Sequence, residues 1–246
     1  NKLFANKWFA DLKADFILNF ITDSRWKFIT SGLKNTLVIT LFSVLIGVAL
    51  GVIIAVVRAS YDKTYSEMRN GISKKLLWLC NAVCKLYLTV IRGTPVVVQL
   101  MIMYYIIFAT SRNSLLVAII AFGINSGAYV AEIVRSGIMS IDEGQFEAGR
   151  SLGFDYKSTM WYVIIPQAFK NVLPALANEF IVLLKETSVA GYVTIRDLTM
   201  GGNIIRAATY SAFMPLIAVA LIYLVMVIFF TKLVGVLERR LRKSER

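Results

Sequence analysis

The sequence predicts an all-α integral membrane protein with about five transmembrane helices, and three observations predict it. Of its 246 residues 57% are hydrophobic, and the mean hydropathy is +0.66. Its apolar runs are much longer than a soluble core helix needs, and several approach the roughly 20 residues that cross a hydrocarbon core of about 30 Å. Its basic residues gather beside those runs, where they orient a chain in a membrane. In a soluble protein a net charge of +12 would suggest nucleic acid as partner; this distribution points to the lipid bilayer instead.

In chain order, residues 1–31 carry scattered Phe, Trp, Ile and Lys, with Phe16, Ile17, Phe20 and Ile21 spaced for one helical face. An interfacial amphipathic helix is expected there, ahead of a membrane domain over 32–246. The first span is 33–57, with Gly47 and Gly51 four residues apart as a candidate for close helix contact. Residues 58–92 hold seven Lys and Arg against Asp62 and Glu67, which places them on the cytoplasmic side. The second span, 86–108, contains Arg92-Gly93-Thr94-Pro95 and is expected to bend at the proline. The third, 115–138, holds Asn125, Ser126, Tyr129, Glu132 and Arg135, groups that belong against protein or water rather than lipid. The fourth, 171–193, is the least apolar; the fifth is 212–236, followed by the basic tail LERRLRKSER. Five spans with a basic, cytoplasmic C-terminus put the N-terminus outside. Cys80 and Cys84 lack further thiols or any imidazole, so no metal site is expected.

Between the third and fourth spans lies a polar, glycine-punctuated loop, 142–166. Asp142 is placed to cap a short helix, Gln145 to complete a capping box and Gly153 to end it. Ala148 and Gly149 leave its surface nearly bare, so that another protein's backbone can approach, while Glu147 and Arg150 supply charge. Pro166 is expected to disrupt the helix that follows.

At Glu147, Ala148, Gly149, Gly153, Val163, Ile165 and Pro166 the sequence resembles the inner-membrane permeases of bacterial binding-protein-dependent ABC importers. Their loop reads E-A-A, three residues, G, nine residues, I-x-L-P; Gly149, Val163 and Ile165 depart from it but keep size or apolarity. The strings RGTPVVVQL and NEFIVLLKETSVAGY resemble the polar amino-acid branch, of histidine, glutamine and arginine type. The resemblance implies the type I importer permease fold in the bacterial cytoplasmic membrane. It also implies that Glu147, Ala148, Gly149, Arg150 and Gly153 form a coupling helix seated on an ATPase.

The sequence has no Walker-type phosphate loop, nucleophile elbow or histidine, so no catalytic residue is assigned. No cofactor is expected on this chain; ATP and Mg would belong to ATP-binding cassette ATPase partners. A second permease subunit and an extracytoplasmic binding protein or domain complete the implied assembly. For a polar L-amino acid, Glu179 is the expected ammonium partner, with Asn178, Gln99, Asn125 and Tyr129 as neutral polar contacts. Asn125, Tyr129 and Glu132 share one helix face, and Glu132 is alternatively a partner of Arg135. An ion-coupled secondary transporter is the competing class, although no internal repeat supports it.

Overall fold

The computed structural model describes residues 10–243, so the first nine residues of the expected 1–31 segment and the last three of the tail lie outside the described residues. Among the described residues there is no β-strand. Helix α1 (10–16) passes into a wide turn, Ile17–Ile21, and a tight one, Thr22–Ser24. Arg25 fastens this reversal by donating to the Leu18 carbonyl at 2.6 Å and pairing with Asp23 at 2.7 Å. Phe16, Ile17 and Ile21 are exposed, while Asn19 is buried and accepts from the Thr209 hydroxyl at 2.8 Å.

Among the described residues four helices are long and apolar enough to cross a membrane: α2 (Trp26–Thr64), α3 (Ile72–Gly93), α5 (Ser114–Met139) and the Phe213–Leu241 part of α10 (Phe213–Lys243). Helix α5 coincides with its expected span. Helices α2 and α10 overrun theirs, because a charge such as Arg58 or Lys63 ends an apolar run without ending a helix. The expected 86–108 span is corrected: α3 ends at Gly93, and α4 (Val96–Ile102, continued by the wide turn Met103–Ile107) is a separate piece. Thr94 and Pro95 between them are extended, the conformation imposed on a residue preceding proline. Much of the basic 58–92 stretch is therefore helix, and only a short connection separates α2 from α3.

The expected 171–193 span becomes α8 (Ile165–Glu186) closed by a tight turn, Thr187–Val193. Helix α8 is too polar to stand among the four, and it packs on α5, α10 and α2. Helix α9 (Leu198–Thr209) is additional to the five expected spans.

Helix α5 is the axis of the molecule: 67% of its apolar window is buried, against 11% for α10. It runs parallel to α2, as successive contacts show: the Ser43 hydroxyl donates to the Ile119 carbonyl at 3.0 Å, Gly47 meets Ser126 and Gly51 meets Val130. A Cβ on Gly51 would fall 2.5 Å from Val130 Cγ1 and 2.8 Å from the Ala131 nitrogen, so the two backbones touch there. The four-residue glycine step is thus a close-packing device, as is usual where no hydrophobic effect drives helices together.

Asp197 anchors the connection to α9. Its Oδ1 accepts from the Met200 amide at 2.8 Å, while Oδ2 is buried without a partner. Burial raises its pKa to about 6 against the backbone amides that would lower it. The folded state therefore holds a proton between about pH 4 and 6 that the unfolded chain, with an ordinary carboxyl near 3.9, has lost. Stability is fully present below that window and declines as pH rises through it, by on the order of 2–3 kcal/mol. Thermal melts in detergent are expected to show this decline, and Asp197→Asn, which keeps the capping oxygen, is expected to flatten it.

Candidate functional site

The loop 142–166 folds into α6 (Glu143–Ser151) and α7 (Tyr156–Thr159). Asp142 caps α6 by accepting from the Gly144 amide at 2.7 Å. Gly153 terminates it with a φ of 81°, donating to the Arg150 carbonyl at 2.9 Å while Phe154 donates to Gly149 at 3.0 Å. Such a left-handed exit favours glycine because a Cβ would crowd the following carbonyl. Gln145 does not close a capping box: its side-chain oxygen accepts from Gln167 at 3.3 Å. Pro166 does not stop the chain from being helical either. It lies in the first turn of α8, immediately after a wide turn, Met160–Ile164, that absorbs its missing donor.

Glu147, Ala148 and Arg150 are exposed on α6. Gly149 is buried, and a Cβ on it would lie 2.7 Å from Thr159 Oγ1. Its bareness therefore serves packing of α6 on α7 within the chain, which corrects the expectation that it leaves room for a partner backbone. Glu147 takes part in none of the ion pairs of the described residues, whereas Arg150 pairs with Glu67 at 3.4 Å. At the other end of α6, Glu143 pairs with Lys63, whose ammonium also lies 4.7 Å from the Phe146 ring centroid. Both ends of α6 are thus tied to the same end of α2 and the connection that follows it.

From there the charges continue inward. Arg135 pairs with Asp62 at 2.9 Å, and Glu132 receives Arg58 at 3.4 Å, Arg135 at 3.5 Å and Arg92 at 3.6 Å. Three guanidinium groups from α2, α3 and α5 converge on one carboxylate, so the Arg135 alternative for Glu132 is realised together with two partners that sequence spacing did not reveal. Between distant stretches of chain, pairing has no sequence periodicity to announce it. Arg92 also lies 5.9 Å from the Tyr129 ring centroid, within cation–π range.

The five expected substrate-contact residues fall into two groups. Gln99 donates to the carbonyls of Ile91 at 2.7 Å and Thr94 at 3.0 Å, and its oxygen accepts from Asn125 at 2.9 Å. It satisfies the carbonyls released by the break at Pro95 and binds α5 to the α3–α4 junction. Asn125 is buried, and its own Oδ1 has no partner; Tyr129, one turn along, is partly exposed. On another side of α5, Ser126 donates to Glu179 Oε1 at 3.0 Å in a buried contact. Asn178, next to Glu179 on α8, is exposed. The structure does not bring Glu179 together with Gln99, Asn125 and Tyr129. Among the described residues no cluster of His, Cys, Asp and Glu suits a metal ion.

Comparison with known proteins agrees with this architecture. Residues 75–243 match the family described as binding-protein-dependent transport system inner membrane component. The arginine transport system permease protein ArtQ of Bacillus subtilis is 38% identical over 175 residues, covering 70% of this chain and 78% of that protein. The L-cystine transport system permease protein TcyB of the same organism is 33% identical over 226 residues, covering 91% of this chain and 90% of its own. A crystal structure of an amino acid ABC transporter with histidines superposes with a TM-score of 0.77 at 42% identity, covering 90% of this chain and 98% of that one. With the family match spanning well over half its length, this chain belongs to the inner-membrane components of binding-protein-dependent transport systems.

Proposed function

We propose that the chain is the permease subunit of an ATP-driven importer that carries a polar L-amino acid into the cell. The observation that carries this reading is α6: a capped, exposed helix on which Glu147 takes part in none of the ion pairs of the described residues, with one end tied by charge to α2 and the other to the connection that follows it. Relatives named for arginine and cystine transport support the cargo class. The N-terminus lies outside and the C-terminus in the cytoplasm, with α6 on the cytoplasmic face against an ATP-binding cassette ATPase that holds ATP and Mg. A second permease subunit completes the path, and an extracytoplasmic binding protein or domain delivers the substrate.

In this mechanism the ATPases push α6. The Lys63–Glu143 pair passes the displacement to α2 and the Arg150–Glu67 pair to the connection after it, and the Arg58, Asp62, Glu132, Arg135 and Arg92 cluster passes it to α5 and α3. Glu179, with one oxygen held by Ser126, receives the substrate ammonium beside exposed Asn178. Gln99, Asn125 and Tyr129 line a separate stretch at the helix break. Extraction in mild detergent tests the coupling role: an ATPase is expected to co-purify in stoichiometric amount with wild type and to fall below about a tenth of that with Glu147→Arg. A charge reversal at a hydrogen-bonded interface position costs several kcal/mol, ample for that loss. Equal recovery with both proteins would remove Glu147 from the interface.

A further inference from the structure

A groove of about 430 Å³ runs between α2, α5 and α8, outside both sites described above. Its wall on α2 is Val48, Val52, Val56 and then Ser60, four residues apart and so on one helix face. Twelve residues at about 1.5 Å each make this wall about 18 Å long. One leaflet of a bilayer is about half of a 30 Å hydrocarbon core. The groove is thus close to one leaflet deep, about half of what a spanning helix of another protein would need.

Polarity changes along it in one direction. The deep part is aliphatic, whereas the end nearest α6 carries Ser60, Tyr156, Lys157 and Trp161. Trp161 is 67% exposed, and tryptophan collects at the level of lipid headgroups. Tyr156 closes this end of the wall, its hydroxyl shut off from solvent and turned to Ser60. Lys157 is exposed and takes part in none of the ion pairs of the described residues. The nearest acid in sequence, Asp155, accepts from the Ser158 amide at 2.8 Å and interacts with Lys157 only at longer range, without an ion pair.

We infer that this groove binds one anionic phospholipid, its phosphate at Lys157 beside Tyr156 and Ser60, and an acyl chain along Val56, Val52 and Val48. The occupant is amphipathic because the groove is, and it is anionic because the only charged side chain lining the groove is a cation. The leaflet is the cytoplasmic one, which rests on the orientation proposed above; occupancy itself does not depend on the ATPase or the cargo.

The test compares wild type, Lys157→Glu, Lys157→Arg and Val52→Trp after reconstitution in phosphatidylcholine vesicles with and without phosphatidylglycerol. Each is re-extracted, and retained lipid is measured by native mass spectrometry. Wild type and Lys157→Arg are expected to keep about one phosphatidylglycerol per chain. Lys157→Glu is expected to lose at least three quarters of it, and Val52→Trp to lose it by filling the groove. Monodisperse elution of Lys157→Glu, an exposed substitution, separates lipid loss from misfolding should Val52→Trp fail to fold. Equal retention by wild type and Lys157→Glu, or preference for phosphatidylcholine, overturns the proposal. Efficient disulfide cross-linking of Trp161→Cys between two copies overturns it as well, by placing a second chain over the groove.

Discussion

Glu179→Gln is expected to reduce amino-acid uptake by about tenfold or more while leaving extraction yield and ATPase co-purification unchanged. The carboxylate is buried, and its Oε1 already accepts from the Ser126 hydroxyl at 3.0 Å. Glutamine preserves the shape and can accept the same hydrogen bond, so the junction of α5 and α8 is retained. What it removes is the charge, and a hydrogen bond to a charged group contributes about 1.5–3 kcal/mol. Ser126→Ala is expected to act in the same direction but more weakly, because it loosens the carboxylate without removing it. Uptake kinetics of Glu179→Gln in vesicles that match wild type would reduce Glu179 to a polar contact between helices.

The second large effect is on folding. Gly51→Leu is expected to abolish recovery of monodisperse protein, because the first atom added would already lie 2.5 Å from Val130 Cγ1 and 2.8 Å from a backbone nitrogen of α5. Neither a backbone nor a helix held by Ile54, Leu88 and Ala131 has room to yield. Overpacking of a tight core costs about 1–3 kcal/mol for a few methylenes, and separation of two backbones exceeds that range. Gly235→Leu on α10 is the control, since a Cβ there meets nothing within 4 Å. Fluorescence-detected size-exclusion profiles of the two variants should therefore diverge; similar profiles would mean that α2 and α5 are not packed as described.

The elements legible in the sequence are those whose information is local. The α5 span follows from its apolar composition, and the cap and exit of α6 follow from Asp142 and Gly153. Elements that depend on tertiary partners were harder to place. Helix α3 looked like a basic connection, because Lys74, Lys75 and Lys85 lie on a helix that is only partly covered by its neighbours. Residues α9 needs for its start, Asp197 and the Thr36 hydroxyl that accepts from the Leu198 amide at 3.1 Å, are far apart in the chain.

The candidate sites divide in the same way. The motif around Glu147 is legible because it is contiguous, yet its Gly149 packs against Thr159. The polar residues of the spans were recognisable as unusual in lipid, but which of them face each other was not. Helix periodicity groups Asn125 with Tyr129 and Glu132, and it cannot say that Asn125 reaches Gln99 while its neighbour Ser126 reaches Glu179. The charge cluster around Glu132 draws on three helices, so the sequence shows only the Arg135 pair, three residues away.

ATP-driven transport through this chain is open to a direct assay. The permease is purified with its co-extracted ATPase, reconstituted into vesicles with the binding protein on the substrate side, and assayed for uptake of labelled amino acids. Uptake is expected only when ATP and Mg are present on the side that faces α6, unchanged when ion gradients are dissipated and abolished by Glu147→Arg. Uptake that proceeds without ATP and collapses with an ion gradient would contradict it.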